Sequence, residues 1–219
     1  MELAYEHMNN PKLVKINPEK VTADNVKQIL YHVANDEKIP LLLGLLKRIN
    51  KKRIIVFVNT KREAEKVWSY LEGNKIHAAV LSGDVPQKKR QRLFNEFSTG
   101  KLKVLVATDL AARGLHIPDI SHVFNYDLPQ NAEDYVHRIG RTARAGASGD
   151  AVSFACEDYV YSLTEIESYI GYQIKRDAVE EKMLDVVEPP VKIRKYEKFS
   201  NPIKNKKQFK KRNRIPSNN

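Results

Sequence analysis

In the stretch Glu133–Gly146, EDYVHRIGRTARAG, three side chains have types and spacing that could do chemistry together: His137, Arg141 and Arg144. At i, i+4 and i+7 they are predicted to share one face of a helix. Gly140, inside that turn, lets another group come close to the backbone. An imidazole and two guanidiniums on one face suit a polyanion, above all a phosphate, which arginine grips in bidentate fashion. A solvated basic helix has the same composition, so the reading depends on what else the chain brings. Thr108–Pro118, TDLAARGLHIP, is hard to explain as packing, because small residues directly follow an apolar run and lead into Arg-Gly. Gly114 there permits an unusual φ. Polar residues also close other apolar runs, at Asn59-Thr60, Ser82-Gly83-Asp84 and Asp127-Leu128-Pro129. Thr60 and Asp84 read as helix caps, yet a capped N-terminus also presents N–H groups to a phosphate. Gln87 and Arg90 lie one turn apart on the exposed side of the following helix.

Alternating strands and helices must position these residues. Val26–Val33 reads as a strand, and a helix runs from Asp36 to about Ile49 on the stripe Leu41, Leu42, Leu45, Leu46, Ile49. Arg53–Val58 is a continuous apolar run, as expected of a strand covered on both faces. The helix Lys61–Leu71 follows, with Thr60 and Glu63 as a capping box. Then come a strand at Ile76–Leu81, a helix that Asp84, Pro86 and Gln87 open and that runs through Phe97, and a strand at Lys103–Ala107. Ile120–Tyr126 and Ala151–Ala155 flank the basic helix, and a last helix spans Asp158 to Ile170. This order predicts an α/β fold with a mostly parallel sheet and helices on both faces. Ligands of such sheets bind along the edge formed by the strand C-termini. The division expected is a lead-in at 1–24, one domain at 25–172 and a basic, disordered tail at 173–219.

Charge supports that division. The net charge is +11, but residues 191–219 hold 11 Lys+Arg against one Glu, which leaves the other 190 residues with 27 basic and 26 acidic groups. A nearly neutral body with a cationic tail points to nucleic acid or an acidic surface. Tyr196, Phe199 and Phe209 are interleaved with the cations and could stack on bases. No run of 18 apolar residues occurs, so no membrane contact is expected, and MELAYEHMNN lacks the features of a signal peptide. Cys156 is the single cysteine. No internal disulfide can form, which fits a cytoplasmic protein, and within VSFAC the thiol reads as buried and inert. No metal-ligand cluster stands out.

VFVNT, SGDVPQKKR, VATDLAARGLHIP and YVHRIGRTARAG, in this order and spacing, resemble the second RecA-like domain of a DEAD-box ATP-dependent RNA helicase. The resemblance covers about residues 1–172. RGLHIP, HVFNYDLP, EDYVHRIGRT and RAGASG are most similar to the bacterial RhlB type, and ELAYEHMNNP resembles that group's segment just after the Ser-Ala-Thr motif of the first domain. The resemblance implies that Arg141 and Arg144 are arginine fingers on the γ-phosphate of ATP, and that His137 links the two domains. It implies nucleotide contacts at Gly114 and His116, RNA-backbone contacts at Thr60, Gly83, Gln87, Arg90 and Thr108, and an interdomain role for Arg113. Contacts to phosphate rather than base edges give sequence-independent binding. His116 stands where most members carry an Asp that contacts the ATP ribose, in keeping with the RhlB-like subgroup. Ala143 replaces the usual Gly between the fingers, where a methyl on a helix should be tolerated.

The sequence contains no Gly-x-x-x-x-Gly-Lys-Ser/Thr loop and no Asp-Glu-Ala-Asp. Phosphoryl transfer needs a phosphate cradle, a Mg²⁺ site and a water-orienting residue, with the finger as an addition. The expectation is therefore the C-terminal half of an RNA helicase, with ATP and Mg²⁺ held mainly by an N-terminal RecA-like domain. RNA is the expected partner, and a ribonuclease E-like scaffold of RNA turnover is a further one. The alternative is a stand-alone RNA-binding or scaffold module without ATPase activity.

Overall fold

Three of the strands are covered on both faces. In the computed structural model, which describes residues 26–49, 53–113, 120–143 and 149–192, Ile54–Phe57 (β2), Val104–Ala107 (β4) and His122–Asn125 (β5) are buried at every position. With Val26–His32 (β1), Ala78–Leu81 (β3), Gly149–Ala155 (β6) and the two-residue Arg176–Asp177 (β7) they form one sheet. Its order is β3-β4-β2-β5-β6-β1-β7, and every pairing is parallel.

The helices are Lys38–Arg48 (α1), Lys61–Gly73 (α2), Gln87–Ser98 (α3), Asp109–Ala112 (α4), Ala132–Ile139 (α5) and Ser162–Ile170 (α6). α1 and α2 press Leu41, Leu42, Val67 and Leu71 onto one face, against Val56, Val106 and Phe124. Across the sheet, Phe97 of α3 packs on Ile55 and Phe57. Tyr135 and Ile139 of α5 and Ile166 of α6 pack on Leu30 and Ala151. Half of the expected capping box forms: Thr60 Oγ1 accepts the Glu63 N–H at 3.1 Å, while the Glu63 carboxylate meets Lys66 Nζ at 3.0 Å.

Two expectations need correction. The helix beginning near Glu133 does not continue to Gly146: α5 stops at Ile139, with Gly140 as its C-cap. Thr142 forms a bridge with Ile120, and its Oγ1 donates to the Ile120 carbonyl at 2.5 Å, which draws the chain out of the helix. Ala143 then takes φ 55°, a left-handed conformation and not a helical one. The glycine usual in the family suits that φ, which costs an L-residue about 1–2 kcal/mol. The second correction concerns residues 173–192, expected as the start of a disordered tail. β7 pairs with β1, a 3₁₀ turn follows at Glu181–Met183, and Val179, Met183, Leu184 and Val187 pack against the α1–α2 core. The remainder of the expected tail lies outside the described residues, as do the lead-in, Gly114, His116 and Arg144.

Candidate nucleic-acid and nucleotide interface

Strand order decides which loops are neighbours. Because β3, β4 and β2 are adjacent, their C-terminal loops bring together Gly83, Thr108 and Thr60, with Gln87 and Arg90 on the first turn of α3. The next strand, β5, leads to α5 and hence to His137 and Arg141. The sequence-predicted residues that the structure describes thus line one half of one sheet edge.

Their local settings differ. Thr60 is exposed and caps α2, and its hydroxyl proton is still available to donate. Thr108 precedes α4, yet its side chain makes no capping bond. Gly83 is exposed, and a Cβ there would meet nothing nearer than Leu110 Cδ2 at 3.9 Å. Local packing therefore does not demand a glycine, whereas a close-lying ligand would. Arg90 Nη2 lies 3.5 Å from the Ser82 carbonyl, and its buried Nε has no hydrogen-bond partner. Lys61 pairs with Asp84, tying the start of α2 to the β3 loop.

On α5, Asp134 organises the exposed cations. Its Oδ1 accepts from Arg113 Nη2 at 2.7 Å and lies 4.0 Å from His137 Nδ1. Burial alone would raise the Asp134 carboxyl. The hydrogen bond and charge of Arg113, an Asn131 hydrogen bond and the charge of Arg138 outweigh it and hold the group below the usual carboxylate range. Arg141 is half-buried in the turn after α5, and its Nε donates to the His137 carbonyl at 3.2 Å. His137 and Arg141 are neighbours, therefore, but by a turn rather than by a shared helix face.

Arg138, which the sequence reading left without a role, sits at the centre of this edge. It is 1% exposed. Its Nε and Nη2 donate to both oxygens of Asp109 at 2.7 Å, its Nη1 to the Asp127 carbonyl at 2.6 Å, and its Nη2 also to Asn59 Oδ1 at 2.8 Å. The guanidinium lies over the Phe57 ring. It therefore joins the residues beside Thr60 and Thr108 to the helix that carries His137. One signal in the sequence could have found it: Arg138 falls in the apolar stripe of α5, between Tyr135 and Ile139. A second buried cation, Lys38, meets Asp127 Oδ1 at 2.6 Å, while Asp127 Oδ2 accepts the Asn59 N–H at 2.9 Å. Burial, with Glu63 and Asp127 nearby, pushes the Tyr126 phenol well up, so it stays protonated.

Among the described residues no group of three or more His, Cys, Asp or Glu could hold a metal ion, and no helix is long and apolar enough to cross a membrane. The arrangement suits a polyanion lying across the β3–β4–β2 end of the edge, with Arg141 and His137 at its flank.

Comparison with known proteins agrees with this fold. The family model described as helicase conserved C-terminal domain matches residues 37–146. The ATP-dependent RNA helicase RhlB of Shewanella halifaxensis is 54% identical over 193 residues, covering 88% of this chain and 44% of its own. That of Psychromonas ingrahamii is 50% identical over 201 residues, covering 91% and 48%. The chain thus spans a little under half the length of these relatives. Among solved structures, Escherichia coli DEAD-box protein SrmB bound to regulator of ribonuclease activity A superposes with TM-score 0.66 at 35% identity, covering 76% of this chain and 97% of that one. Saccharomyces cerevisiae Dbp5 bound to RNA and ADP BeF3 gives 0.67 at 34%, covering 71% and 42%.

Proposed function

The chain belongs to the helicase conserved C-terminal domain family, as a DEAD-box domain of the RhlB type, and from that premise we propose that it is the RNA-gripping and finger-bearing half of an ATP-dependent RNA helicase. The observation that carries this reading is the strand order, which lines up Gly83, Gln87, Arg90, Thr108 and Thr60 and sets α5 beside them. These residues hold the phosphodiester backbone of RNA. Thr60 and Thr108 donate hydroxyls, Arg90 supplies charge, and Gly83 admits the strand to the backbone. With no base edge addressed, binding is indifferent to sequence.

ATP, held with Mg²⁺ mainly by an N-terminal RecA-like domain, supplies the phosphoryl group whose transfer drives the cycle. Arg141, with Arg144, faces the γ-phosphate, and Gly114 and His116 contact the nucleotide. His137 and Arg113, both tied to Asp134, meet the first domain. The fit is physical: Arg141 is only half-buried, and the bond from its Nε to the His137 carbonyl orients the guanidinium. Arg138 keeps the two halves of the edge in register. A ribonuclease E-like scaffold and a place in RNA turnover belong to this reading on the strength of the RhlB likeness.

Two substitutions in a complete enzyme test it. Arg141→Ala should cut RNA-stimulated turnover by about 10³–10⁵ while leaving RNA affinity within a few-fold, and Lys should rescue poorly. Arg90→Ala should instead weaken RNA binding for all sequences and flatten its log–log salt slope by about 0.7. Near-normal turnover of Arg141→Ala at saturating RNA would rule the finger out.

A further inference from the structure

The turn that carries Arg141 is held at both ends. On its near side α5 closes on Gly140, whose N–H donates to the Val136 carbonyl at 2.8 Å. The Arg141 N–H then donates to the Arg138 carbonyl at 3.0 Å and the Thr142 N–H to the Ile139 carbonyl at 3.1 Å, the tighter spacing of a 3₁₀ turn. On its far side Thr142 is buried. It bridges to Ile120, and its Oγ1 donates to the carbonyl of the same residue. Ile120 belongs to the apolar core that holds Phe97 and Leu105, so the hydroxyl is fastened to the body of the domain.

Gly149, the first residue of β6, completes the clasp from another side. A Cβ there would overlap Thr142 Oγ1 and lie 2.8 Å from the Ala143 backbone nitrogen. Its φ is not positive, so what glycine supplies at this position is room for the turn. The Asp150 N–H donates to the Ser121 carbonyl at 3.0 Å, which ties the start of β6 to the segment that holds Thr142. An arginine two residues beyond a helix end would ordinarily sample many backbone directions. Here both flanks are fixed.

We propose that Thr142 is a positioning residue for phosphoryl transfer: its hydroxyl clasp on Ile120, seated against Gly149, fixes the direction in which Arg141 leaves α5. The proposal rests on the reading of Arg141 as the finger. A finger helps only where charge develops in the transition state, and a misplacement of about 1 Å caused far from the chemistry costs about 10²-fold. Thr142 is buried and cannot itself reach ATP or RNA. It is also remote from the RNA contacts. Thr60, Gly83 and Thr108 follow strand C-termini, whereas Ile120 and Gly149 stand at the N-terminal ends of β5 and β6. RNA affinity should therefore be indifferent to the clasp.

The test is a double-mutant cycle in the complete enzyme. RNA-stimulated ATP hydrolysis and RNA affinity are measured for the parent, Thr142→Val, Arg141→Ala and the double variant, with single-turnover hydrolysis of labelled ATP for the slow enzymes. Valine keeps the shape and removes the donor, and Thr142→Ser restores it. Gly149→Ala displaces the turn from the opposite side with the hydroxyl intact. Thr142→Val and Gly149→Ala should each lower turnover by about tenfold to 10²-fold and leave RNA affinity unchanged. Serine should recover most of the loss, and valine should cost nothing more once Arg141 is alanine. The proposal is overturned if Thr142→Val or Gly149→Ala turns over like the parent, if serine restores nothing, or if valine costs as much in the Arg141→Ala background. It is also overturned if RNA affinity falls along with turnover, the mark of a domain that is merely less well folded. Near-normal turnover of Arg141→Ala overturns the finger reading and the clasp with it. A crippled Arg141→Ala enzyme beside a normal Thr142→Val one overturns the clasp alone.

Discussion

Arg138 shows how a single residue can be conspicuous in the fold and quiet in the sequence. A buried guanidinium is tolerable only when its donors are met, and here two carboxylate oxygens, a carbonyl and an amide oxygen meet them. Arg138→Ala would strand the Asp109 carboxylate and Asn59 Oδ1, at a cost of about 3–5 kcal/mol. Arg138→Lys should recover only a small part, because a point charge cannot replace a planar fork. Urea unfolding of the three proteins decides the matter, and a loss below about 1 kcal/mol for alanine would remove Arg138 from its bracing role. The exposed candidates were easier to read. His137 and Arg141 are legible because cations outside an apolar stripe ask for a partner. Arg138 lies within the stripe, and its partners come from segments 11 to 79 residues away, a distance that no local pattern reports. Ala143 was misread for a related reason, since its positive φ follows from the Thr142–Ile120 bridge and not from its neighbours in sequence.

Among the elements, the strands were plain in the sequence because each is a short apolar run ending in polar residues. The end of α5 and the docking of residues 173–192 were not, because backbone hydrogen bonds to distant segments set both, and these leave no periodicity. α5 also has a testable pH dependence. The folded-state pKa of Asp134 lies below its unfolded value, so the unfolded chain takes up this proton first as pH falls. Its contribution is present above about pH 4, near the unfolded carboxylate value, and is lost as pH drops through the lower folded value. Asp134→Asn should therefore show a constant stability deficit from about pH 5 to 7 that narrows below pH 4. A deficit of the same size at pH 3 and pH 6 would show that the Arg113–Asp134 pair plays no electrostatic part.

For the molecule as a whole, α/β alternation was readable but strand order was not, since crossovers are chosen by tertiary packing. That order brings Thr60, Gly83 and Thr108, 23 to 48 residues apart in sequence, to one sheet edge. The chain carries the proposed finger arginine but neither a phosphate-binding Gly-Lys-Ser/Thr loop nor Asp-Glu-Ala-Asp. The isolated 219-residue chain should consequently show no ATP hydrolysis, with or without RNA. RNA-stimulated turnover above a mock-purified control would overturn that expectation. Residues 173–192 have one more consequence, which concerns solubility. Val179, Met183, Leu184 and Val187 cover apolar side chains of the α1–α2 core, and β7 pairs with Leu30 and Tyr31 within β1. Take these residues away, and an apolar face lies open beside an uninterrupted seven-residue border strand. Both features invite pairing with another chain. By covering the one and interrupting the other, residues 173–192 work against self-association.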